Sequence, residues 1–371
     1  MNGNNILGII FANIHDEKVR ELTETRTMAS VPFGGRYRLI DFTLSNMVNS
    51  GINKVGVITK SNYQSLMDHL GSGKAWDLSR KRDGLFILPP FSSGPVAYNS
   101  RIESLSSIMR FLNHSSEEFV ILSDSDFVCN LDLKDVLDSH VKSEADVTVL
   151  YRYGRIPEKY GEPMSFDVDP DGMVRDALVS PHIEGACNYS IPVILLRREL
   201  LITMISDCVS RNLYDFTRDF IQRNIGQYRF HGYEFTGYIH SICSMNDYFE
   251  ANMELMDPKV RAELFNSARP IYTKVRDDMP ARYGLGSEIS NSLVADGCVI
   301  EGTVENCVLF RGVHIGKGAH VRNCVIMQDT QIGENCKLDY VIMDKDVTIK
   351  DERSLMGFQS YPVFISKASV V

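Results

Sequence analysis

Apolar residues in the first two thirds of the chain form short runs separated by stretches of helical periodicity. Residues 5–12 are rich in β-branched side chains and show no polar alternation, which is typical of a strand buried on both faces of a parallel sheet. Further strands are predicted at residues 54–59, 119–123, 147–153 and 187–196, and helices at 63–70 and 133–144. This alternation predicts a doubly wound, mostly parallel α/β sheet, with the loops after Ala12 and Ser123 facing a ligand pocket.

The pattern changes near residue 289, where aliphatic residues begin to return every five or six positions. A left-handed parallel β-helix has this repeat, because aliphatic side chains stack inside each turn and small residues fit the corners. An antiparallel β-sandwich would instead show strict two-residue alternation, which is absent. The aliphatic positions of the predicted repeat are Val294, Ile300, Val304, Leu309, Ile315, Val321, Ile326, Ile332 and Leu338.

These two patterns divide the chain. We predict an α/β domain over residues 1–255, a linker over 256–288 and a left-handed β-helix over 289–371. The proline-bounded segment 270–280 interrupts the helical periodicity and supports the linker. Because a β-helix has exposed ends and flat sides that need covering, we expect it to assemble with other subunits.

Composition restricts the partners. A chain of 371 residues with 44% hydrophobic residues is long enough for two cores. A formal net charge of −9 argues against nucleic acid, which is bound by basic surfaces. No apolar run approaches the roughly 18 residues of a membrane span, and the first residues lack the features of a signal peptide. We therefore expect a cytoplasmic protein that binds neither nucleic acid nor membranes.

The cysteines show no C-x-x-C pair and no spacing typical of a zinc site. In a reducing compartment such residues are expected to be free buried thiols. They are Cys129, Cys187, Cys208, Cys243, Cys298, Cys307, Cys324 and Cys336.

The sequence VPFGGRYRLIDF at 31–42, followed by LSNMVNSG at 44–51, resembles the bacterial ADP-glucose pyrophosphorylases, or glucose-1-phosphate adenylyltransferases. The similarity extends to EANME at 250–254, PIYT at 270–273 and SNSLVADGC at 290–298. The resemblance implies a nucleotidyltransferase fold followed by the β-helix. Within the family the chain resembles the regulatory D-type subunit, because it departs from the catalytic subunit where that subunit's motifs carry function.

The first departure is the phosphate loop. Active members follow the first strand with a glycine-rich turn, since only glycine lets backbone amides close around a triphosphate. Residues 13–23, NIHDEKVRELT, contain no glycine, and Asp16, Glu17 and Glu21 place negative charge where phosphate would lie. The resemblance also places Met28 where catalytic members have a lysine. We predict that the triphosphate cradle has been lost.

Three further departures concern the base, the metal and the sugar phosphate. The segment similar to the adenine-binding Gly-Thr-Ala core is YNSRIE at 98–103, where the bulky Arg101 and Ile102 should fill the slot. Of the two aspartates that hold Mg²⁺ in active members, one matches Asp126 and the other matches Ser241, so Asp126 is expected to be an unoccupied remnant. The segment that carries the sugar-phosphate lysine matches VRDALVSP at 174–181, which has no lysine.

These losses predict that the chain has no catalytic residues, because phosphoryl transfer depends on positioning and charge neutralisation. We expect no cofactor for this chain alone, although Mg²⁺ serves the active members. His15 and His240 could supply replacement acid–base groups, but the sequence pairs neither with a carboxylate or nucleophile. Neutral drift in a working enzyme explains one substitution more readily than four at one site.

Arg26, Arg36 and Arg38 bracket the retained turn at 31–35. In the family this neighbourhood, near the β-helix, binds anionic effectors such as sugar phosphates, and arginine suits phosphate. The alternative is that Arg36 and Arg38 pair with carboxylates such as Asp41 or Asp77 at a domain boundary. Sequence alone leaves both open.

The resemblance thus implies a non-catalytic or weakly active regulatory subunit in glycogen biosynthesis, which assembles with a catalytic homologue into a heterotetramer and responds to a sugar-phosphate effector. The alternative is an active glucose-1-phosphate adenylyltransferase that uses Asp126 and unforeseen replacements. An acyltransferase built on the β-helix would depend on His314 and His320 alone.

Overall fold

The computed structural model describes residues 3–89, 100–157 and 163–371. The first thirteen strands are β1 (Ile6–Phe11), β2 (Pro32–Phe33), β3 (Tyr37–Arg38), β4 (Lys54–Ile58), β5 (Gly84–Leu88), β6 (Phe119–Asp124), β7 (Phe127–Cys129), β8 (Val147–Arg155), β9 (Met164–Val168), β10 (Val174–Val179), β11 (Ala186–Arg197), β12 (Phe230–Glu234) and β13 (Ile239–Ser241). The α-helices are α1 (Arg20–Thr23), α2 (Leu39–Asn49), α3 (Gln64–Leu70), α4 (Arg101–Ser107), α5 (Met109–His114), α6 (Leu133–Lys142), α7 (Arg198–Ser210), α8 (Met245–Glu254) and α9 (Pro258–Leu264). Short 3-10 turns lie at Gly3–Asn5, Asp16–Val19, Met28–Ser30, Lys74–Trp76 and Gln222–Asn224, and a π-helical turn at Phe216–Ile221.

A nine-stranded sheet forms the core of the α/β domain. β1 lies at its centre, parallel to both β4 and β6, and β5 continues the parallel part beyond β4. On the other side, β11 pairs antiparallel with β6 and joins β8 and β9 to the sheet. Every residue of β1 is buried, which explains why this strand shows no polar alternation. The predicted doubly wound, mostly parallel α/β sheet is confirmed.

β2 pairs with β3 and β7 with β13 in two small sheets, and the last fifteen strands form three five-stranded parallel sheets, one on each face of the predicted left-handed β-helix. Each coil contributes one strand to each sheet, and the parallel pairing excludes the antiparallel sandwich. From Ile300 to Leu338 the predicted aliphatic positions are all buried inside the prism. The strands are β14 (Arg282–Tyr283), β15 (Glu288–Ser290), β16 (Leu293–Val294), β17 (Val299–Ile300), β18 (Thr303–Glu305), β19 (Val308–Leu309), β20 (His314–Ile315), β21 (His320–Arg322), β22 (Val325–Ile326), β23 (Gln331–Ile332), β24 (Lys337–Asp339), β25 (Val341–Met343), β26 (Thr348–Ile349), β27 (Ser354–Met356) and β28 (Val363–Ile365).

The first coil begins before the predicted boundary at residue 289. β14 pairs with β17, and α9 also lies within the segment predicted to be a linker over 256–288. Both residues of β14 are exposed, so this strand lacks the apolar repeat that marks the later coils. The division at residues 255 and 289 stays a prediction.

The retained segment 31–42 packs where the α/β domain meets the β-helix. Val31 and Phe33 share one buried cluster with Val308 and Phe310 of the β-helix. The same cluster includes Leu255 at the end of α8. The segment is therefore part of the core that joins the two domains.

None of the helices in the described part of the chain combines the length and the hydrophobicity that a membrane span requires. All eight cysteines are free thiols, and all except Cys187 are buried. This agrees with the prediction from their spacing.

Candidate functional site

A cavity of about 500 Å³ lies beyond the carboxyl ends of β1 and β6. The loop after β1 contributes His15 and Lys18 to its lining, and the turn after β6 contributes Asp124 and Asp126. Arg101, at the start of α4, lines the same space. The prediction that the loops after Ala12 and Ser123 face a pocket is confirmed.

Side chains of opposite charge are paired inside this cavity. Lys18 Nζ donates to Asp126 Oδ2 at 2.8 Å. His15 Nε2 lies 2.8 Å from Asp124 Oδ2, and Arg101 Nε donates to Asp124 Oδ1 at 3.1 Å. The guanidinium of Arg101 also contacts the second oxygen of Asp124. Both carboxylates are therefore held by cations of the chain itself.

The ion pairs change the pKa of one carboxylate, Asp124, and of one cation, Lys18. Burial alone would raise the pKa of Asp124, but the charges of Arg101 and His15 outweigh it and hold that pKa well below its usual range. Burial alone would lower the pKa of Lys18, yet the carboxylate of Asp126 outweighs it and raises that pKa. At neutral pH the pocket thus contains fixed charges of both signs.

The loop 13–23 does not place its acidic residues in the cavity, so that part of the prediction was wrong. Asp16 accepts hydrogen bonds from the side chain of Asn13 at 2.7 Å and from the backbone of Met28 at 2.8 Å. Burial raises the pKa of Asp16 to about 6. Glu17 points to solvent and pairs with Arg20. Hydrogen bonds to Asp16 therefore hold the loop together, and the loop presents His15 and Lys18 to the cavity.

The other departures lie in different places. Tyr98 and Asn99 are outside the described residues. Arg101 lines the cavity as predicted, but Ile102 is buried in the core of the sheet domain. The segment 174–181 includes β10, which pairs with β9, and its described residues do not line the cavity.

Ser241 and Asp126 both line the cavity, so the fold brings together the two positions that the resemblance assigned to the metal. Ser241 ends β13, which pairs with β7 directly after Asp126. His15 has a carboxylate partner that the sequence did not reveal. His240 pairs with Glu254, Nδ1 to Oε2 at 3.0 Å, and is not among the described residues that line the cavity.

The three predicted effector arginines lie at the domain boundary, where they have different environments. Arg26 is buried and its Nη2 donates to both oxygens of Asp344 in the β-helix, at 2.8 and 2.9 Å. Arg38 donates to the backbone and the hydroxyl of Ser65, at 2.6 and 2.9 Å. Arg36 is exposed, with its guanidinium 5.7 Å from the ring centre of Tyr37.

The alternative pairing with Asp41 or Asp77 is not how these arginines are held. Asp41 accepts from the backbone N–H of Arg38 at 3.0 Å and lies 2.6 Å from His69 Nε2. Asp77 pairs with Arg80. Asp41, the third residue of α2, therefore caps the start of that helix, since its side chain accepts from the backbone N–H of the N-cap residue Arg38.

Lys345 is a candidate residue that sequence reasoning missed. Burial and the charges of Arg38 and Arg26 lower the pKa of Lys345 to about 7, although Asp344 opposes this effect. Burial likewise lowers the pKa of Arg38 to about 10, with Arg26 adding to the effect against Asp41. We call Arg26, Arg38 and Lys345 the cationic cluster. Cations this close lower each other's proton affinity, and a bound anion would relieve that repulsion.

Comparison with known proteins agrees with this architecture. The nucleotidyl transferase family model matches residues 7–256, and the model for the GlmU-like C-terminal hexapeptide matches residues 278–360. The glycogen biosynthesis protein GlgD of Bacillus subtilis strain 168 is 36% identical over 371 residues, which cover 100% of this chain and 98% of that protein. The chain belongs to the GlgD and glucose-1-phosphate adenylyltransferase family.

Two further members are similar. GlgD of Geobacillus stearothermophilus is 40% identical over 86% of this chain and 83% of that protein. The glucose-1-phosphate adenylyltransferase of the same organism is 33% identical over 85% of this chain and 83% of that protein. The family thus includes both proteins named for an enzymatic activity and proteins named only for glycogen biosynthesis.

The residues at the family's metal position do not fit Mg²⁺. His15, Asp124 and Asp126 each offer a ligand atom, and these atoms lie within 4.8 Å of one another. Mg²⁺ requires anionic or neutral oxygen ligands in octahedral geometry. Here Lys18 and Arg101 already occupy the carboxylates, and a divalent ion would lie beside two positive side chains. The arrangement can hold a ligand by hydrogen bonds and fixed charges, without a metal.

Proposed function

We propose that this protein is a non-catalytic or weakly active regulatory subunit of glucose-1-phosphate adenylyltransferase, which acts in glycogen biosynthesis in the cytoplasm together with a catalytic homologue. The observation that carries the proposal is the pairing of Asp126 with Lys18 and of Asp124 with Arg101. Phosphoryl transfer in this family needs a metal and donors that neutralise the triphosphate. Among the described residues that line the cavity there is neither a free carboxylate pair nor a glycine-rich loop.

Assembly with a catalytic homologue is supported by exposed apolar residues on the β-helix and the segment before it. Met279 is exposed just before the first coil and Leu285 within it, and Met356, Phe358 and Tyr361 are exposed in the last coil. Exposed apolar groups of this kind are typical of protein interfaces. We propose that these surfaces contact other subunits in a heterotetramer.

The cationic cluster supports a role for a sugar-phosphate effector. The charges of Arg26 and Arg38 from the α/β domain lower the pKa of Lys345 from the β-helix, and Arg26 pairs with its neighbour Asp344, so an anion bound there would contact both domains. Arginine and lysine are the usual ligands of phosphate. Arg36 lies apart from this cluster, on the surface, and we propose that it has a secondary role in attracting the effector.

The second candidate function is an active adenylyltransferase. Two observations favour it. The cavity has a volume of about 500 Å³, and Oδ1 of the buried Asp126 has no hydrogen-bond partner in the described part of the chain. A buried acceptor without a partner is costly, and a ligand donor could satisfy it. We rank this candidate second because the phosphate loop lacks glycine.

A steady-state assay of ADP-glucose synthesis separates the two. We expect the purified chain alone to turn over several orders of magnitude below a catalytic homologue, and to co-purify with that homologue while changing its response to effectors. Turnover by the single chain of about 1 per second or more would refute the proposal.

The Asp126→Asn variant is the matched control. If residual synthesis by the single chain is its own, this variant should abolish it, because the change removes the carboxylate in the cavity. If residual synthesis survives unchanged, it comes from a contaminating enzyme.

A further inference from the structure

The two cations of the cavity come from different elements and meet different carboxylates. We infer that Lys18 and Arg101 together take the place of a divalent cation in this cavity and exclude Mg²⁺ and Mn²⁺ from Asp124 and Asp126. This inference concerns only the binding of metal, so it stands or falls independently of the proposed regulatory role.

The contacts are close and protected from water. Lys18 Nζ lies 2.8 Å from Asp126, whose side chain is 5% exposed, and the side chain of Asp124 beneath Arg101 is 2% exposed. Charged hydrogen bonds at such distances are stronger than neutral ones, and burial removes the solvent screening that weakens surface pairs. Displacing either cation would leave it without its partner in a low-dielectric site.

Both cations are also held in place by their own elements. Lys18 lies in the 3-10 turn Asp16–Val19, which is fixed because the Thr23 hydroxyl donates to the backbone of Asp16 at 2.6 Å. Arg101 begins α4 behind Ser100, whose hydroxyl accepts from the backbone of Glu103. The guanidinium of Arg101 lies 5.4 Å from the ring centre of Phe216. The turn therefore fixes the backbone from which Lys18 extends, and Arg101 cannot turn away without losing its contact with Phe216.

The charges show why a metal is excluded. Two carboxylates face two permanent cations, so the paired groups sum to zero before any ion enters. A divalent ion would then place four positive charges around two negative ones within a few ångströms, where unscreened repulsion is large. Ser241 cannot compensate, because a hydroxyl brings no charge to the position that the family fills with a second aspartate.

The inference predicts that the metal site can be uncovered. If Lys18 and Arg101 are removed, Asp124, Asp126 and His15 keep their spacing, and Oδ1 of Asp126 is already without a partner in the described part of the chain. Replacing both cations with methionine keeps an unbranched apolar side chain at each position and removes the charge together with the hydrogen-bond donors. The remaining three groups then have the oxygen and nitrogen donors that suit Mn²⁺.

The experiment is a titration of the full chain with MnCl₂, followed by isothermal calorimetry and by the Mn²⁺ electron paramagnetic resonance signal. We expect no site in the wild type at millimolar Mn²⁺. The Lys18→Met, Arg101→Met double variant should bind Mn²⁺ at least roughly tenfold more tightly than the wild type. Adding Asp126→Asn to the double variant should remove this binding. Mn²⁺ should raise the Tm of the double variant and leave that of the wild type unchanged.

Lys54→Met is the matched control. Lys54 is a half-buried lysine paired with Glu117 at 3.2 Å, on the opposite end of the sheet, and its loss should create no Mn²⁺ site. Circular dichroism checks that each variant is folded. If the double variant does not fold, Mn²⁺ binding is compared between the Lys18→Met single variant and the wild type.

Two results would overturn the inference. One is a wild-type Mn²⁺ site that Asp126→Asn removes. The other is a folded variant without Lys18, or without both cations, that binds Mn²⁺ no better than the wild type. A wild-type chain that synthesises ADP-glucose without binding Mn²⁺ would refute the proposed function and leave this inference intact.

Discussion

The ion pair between Arg26 and Asp344 should contribute measurably to the coupling of the two domains. The residues are 318 positions apart in the chain, and their side chains are 3% and 4% exposed. Replacing Arg26 with Met removes the cation but keeps an unbranched side chain of similar length. The carboxylate of Asp344 would then remain buried without its main partner, which is the costly outcome for a buried pair.

The structure sets the expected magnitude. Loss of one partner of a buried ion pair costs ~3–5 kcal/mol. Asp344 would keep one hydrogen bond, from the backbone of Lys345 to Oδ1 at 2.7 Å. It would also keep the nearby charge of Lys345. We therefore expect Arg26→Met to lower the free energy of unfolding by about 3 kcal/mol, at the low end of that range. The Arg26→Met, Asp344→Leu double variant should recover to within ~1 kcal/mol of the wild type, because an apolar pair of similar volume replaces the charges.

Urea unfolding followed by two probes provides the assay. Trp76 is the one tryptophan in the sequence and is buried in the α/β domain, so its fluorescence reports that domain. Far-ultraviolet circular dichroism reports both domains. In the wild type the two transitions should coincide, and in Arg26→Met they should separate, since multidomain unfolding is two-state only while the domains are coupled.

Arg36→Met is the control, because Arg36 is an exposed cation and its loss should change stability by less than ~0.5 kcal/mol. The reasoning is refuted if Arg26→Met unfolds like the wild type. It is also refuted if the double variant is as unstable as the single one.

Two further predictions concern the cationic cluster. The pKa of Lys345 is about 7 in the folded protein against 10.5 in the unfolded chain, so the unfolded state binds more protons between these values and stability should rise with pH across that window. Lys345→Met should flatten this rise and stabilise the protein by ~2–4 kcal/mol near neutral pH. Urea unfolding at several pH values measures this. If the free energy of unfolding depends on pH in the same way in the wild type and the variant, the prediction is contradicted. Arg38→Ala should reduce the response of the mixed complex to sugar phosphates, with the usual coupling of roughly 5–150-fold in affinity, while assembly and unstimulated activity persist. A normal response, or a complex that dissociates, would mean that Arg38 serves packing alone. Arg36→Ala in the same assay should reduce the response less than Arg38→Ala does, because Arg36 lies on the surface apart from the cluster.

The position of the cavity could be predicted from the sequence, but the direction of each side chain in it could not. The uninterrupted apolar run of β1 and the parallel-sheet rule placed the loops after Ala12 and Ser123 at the pocket. Within residues 13–23 the sequence suggested a negative loop. The chain instead forms a 3-10 turn at Asp16–Val19, in which side chains three positions apart lie on the same side. His15 and Lys18 have this spacing and face the cavity, while Glu17 faces solvent.

The cationic cluster could not be predicted because it depends on how one coil of the β-helix lies against the α/β domain. The hexapeptide repeat identifies which residues of a coil point inward, and it places Met343 inside the prism. It gives no information on which outward residue of a neighbouring corner meets another domain. Only tertiary packing makes Asp344 the partner of Arg26 and brings Lys345 under the influence of the charges of Arg26 and Arg38.

The contrast between a changed phosphate loop and a retained segment 31–38 has a physical explanation in this packing. Gly34 and Gly35 adopt positive φ angles of 59° and 85°, which residues other than glycine rarely adopt, and Gly35 lies against the backbone of Leu309 in the β-helix. The segment must keep its sequence to dock the β-helix whether or not the chain is an enzyme, whereas the loop at 13–23 must keep glycine only if a triphosphate binds.

The same packing links the cavity to the cationic cluster. Asp16 of the cavity loop accepts from the backbone of Met28, two residues after Arg26, which is bound to Asp344. A ligand that pulled Arg26 away from Asp344 would therefore act on the segment that positions Lys18. Because Lys18 donates to Asp126, these contacts join the ion pair at the domain boundary to a carboxylate of the cavity through residues 16–28.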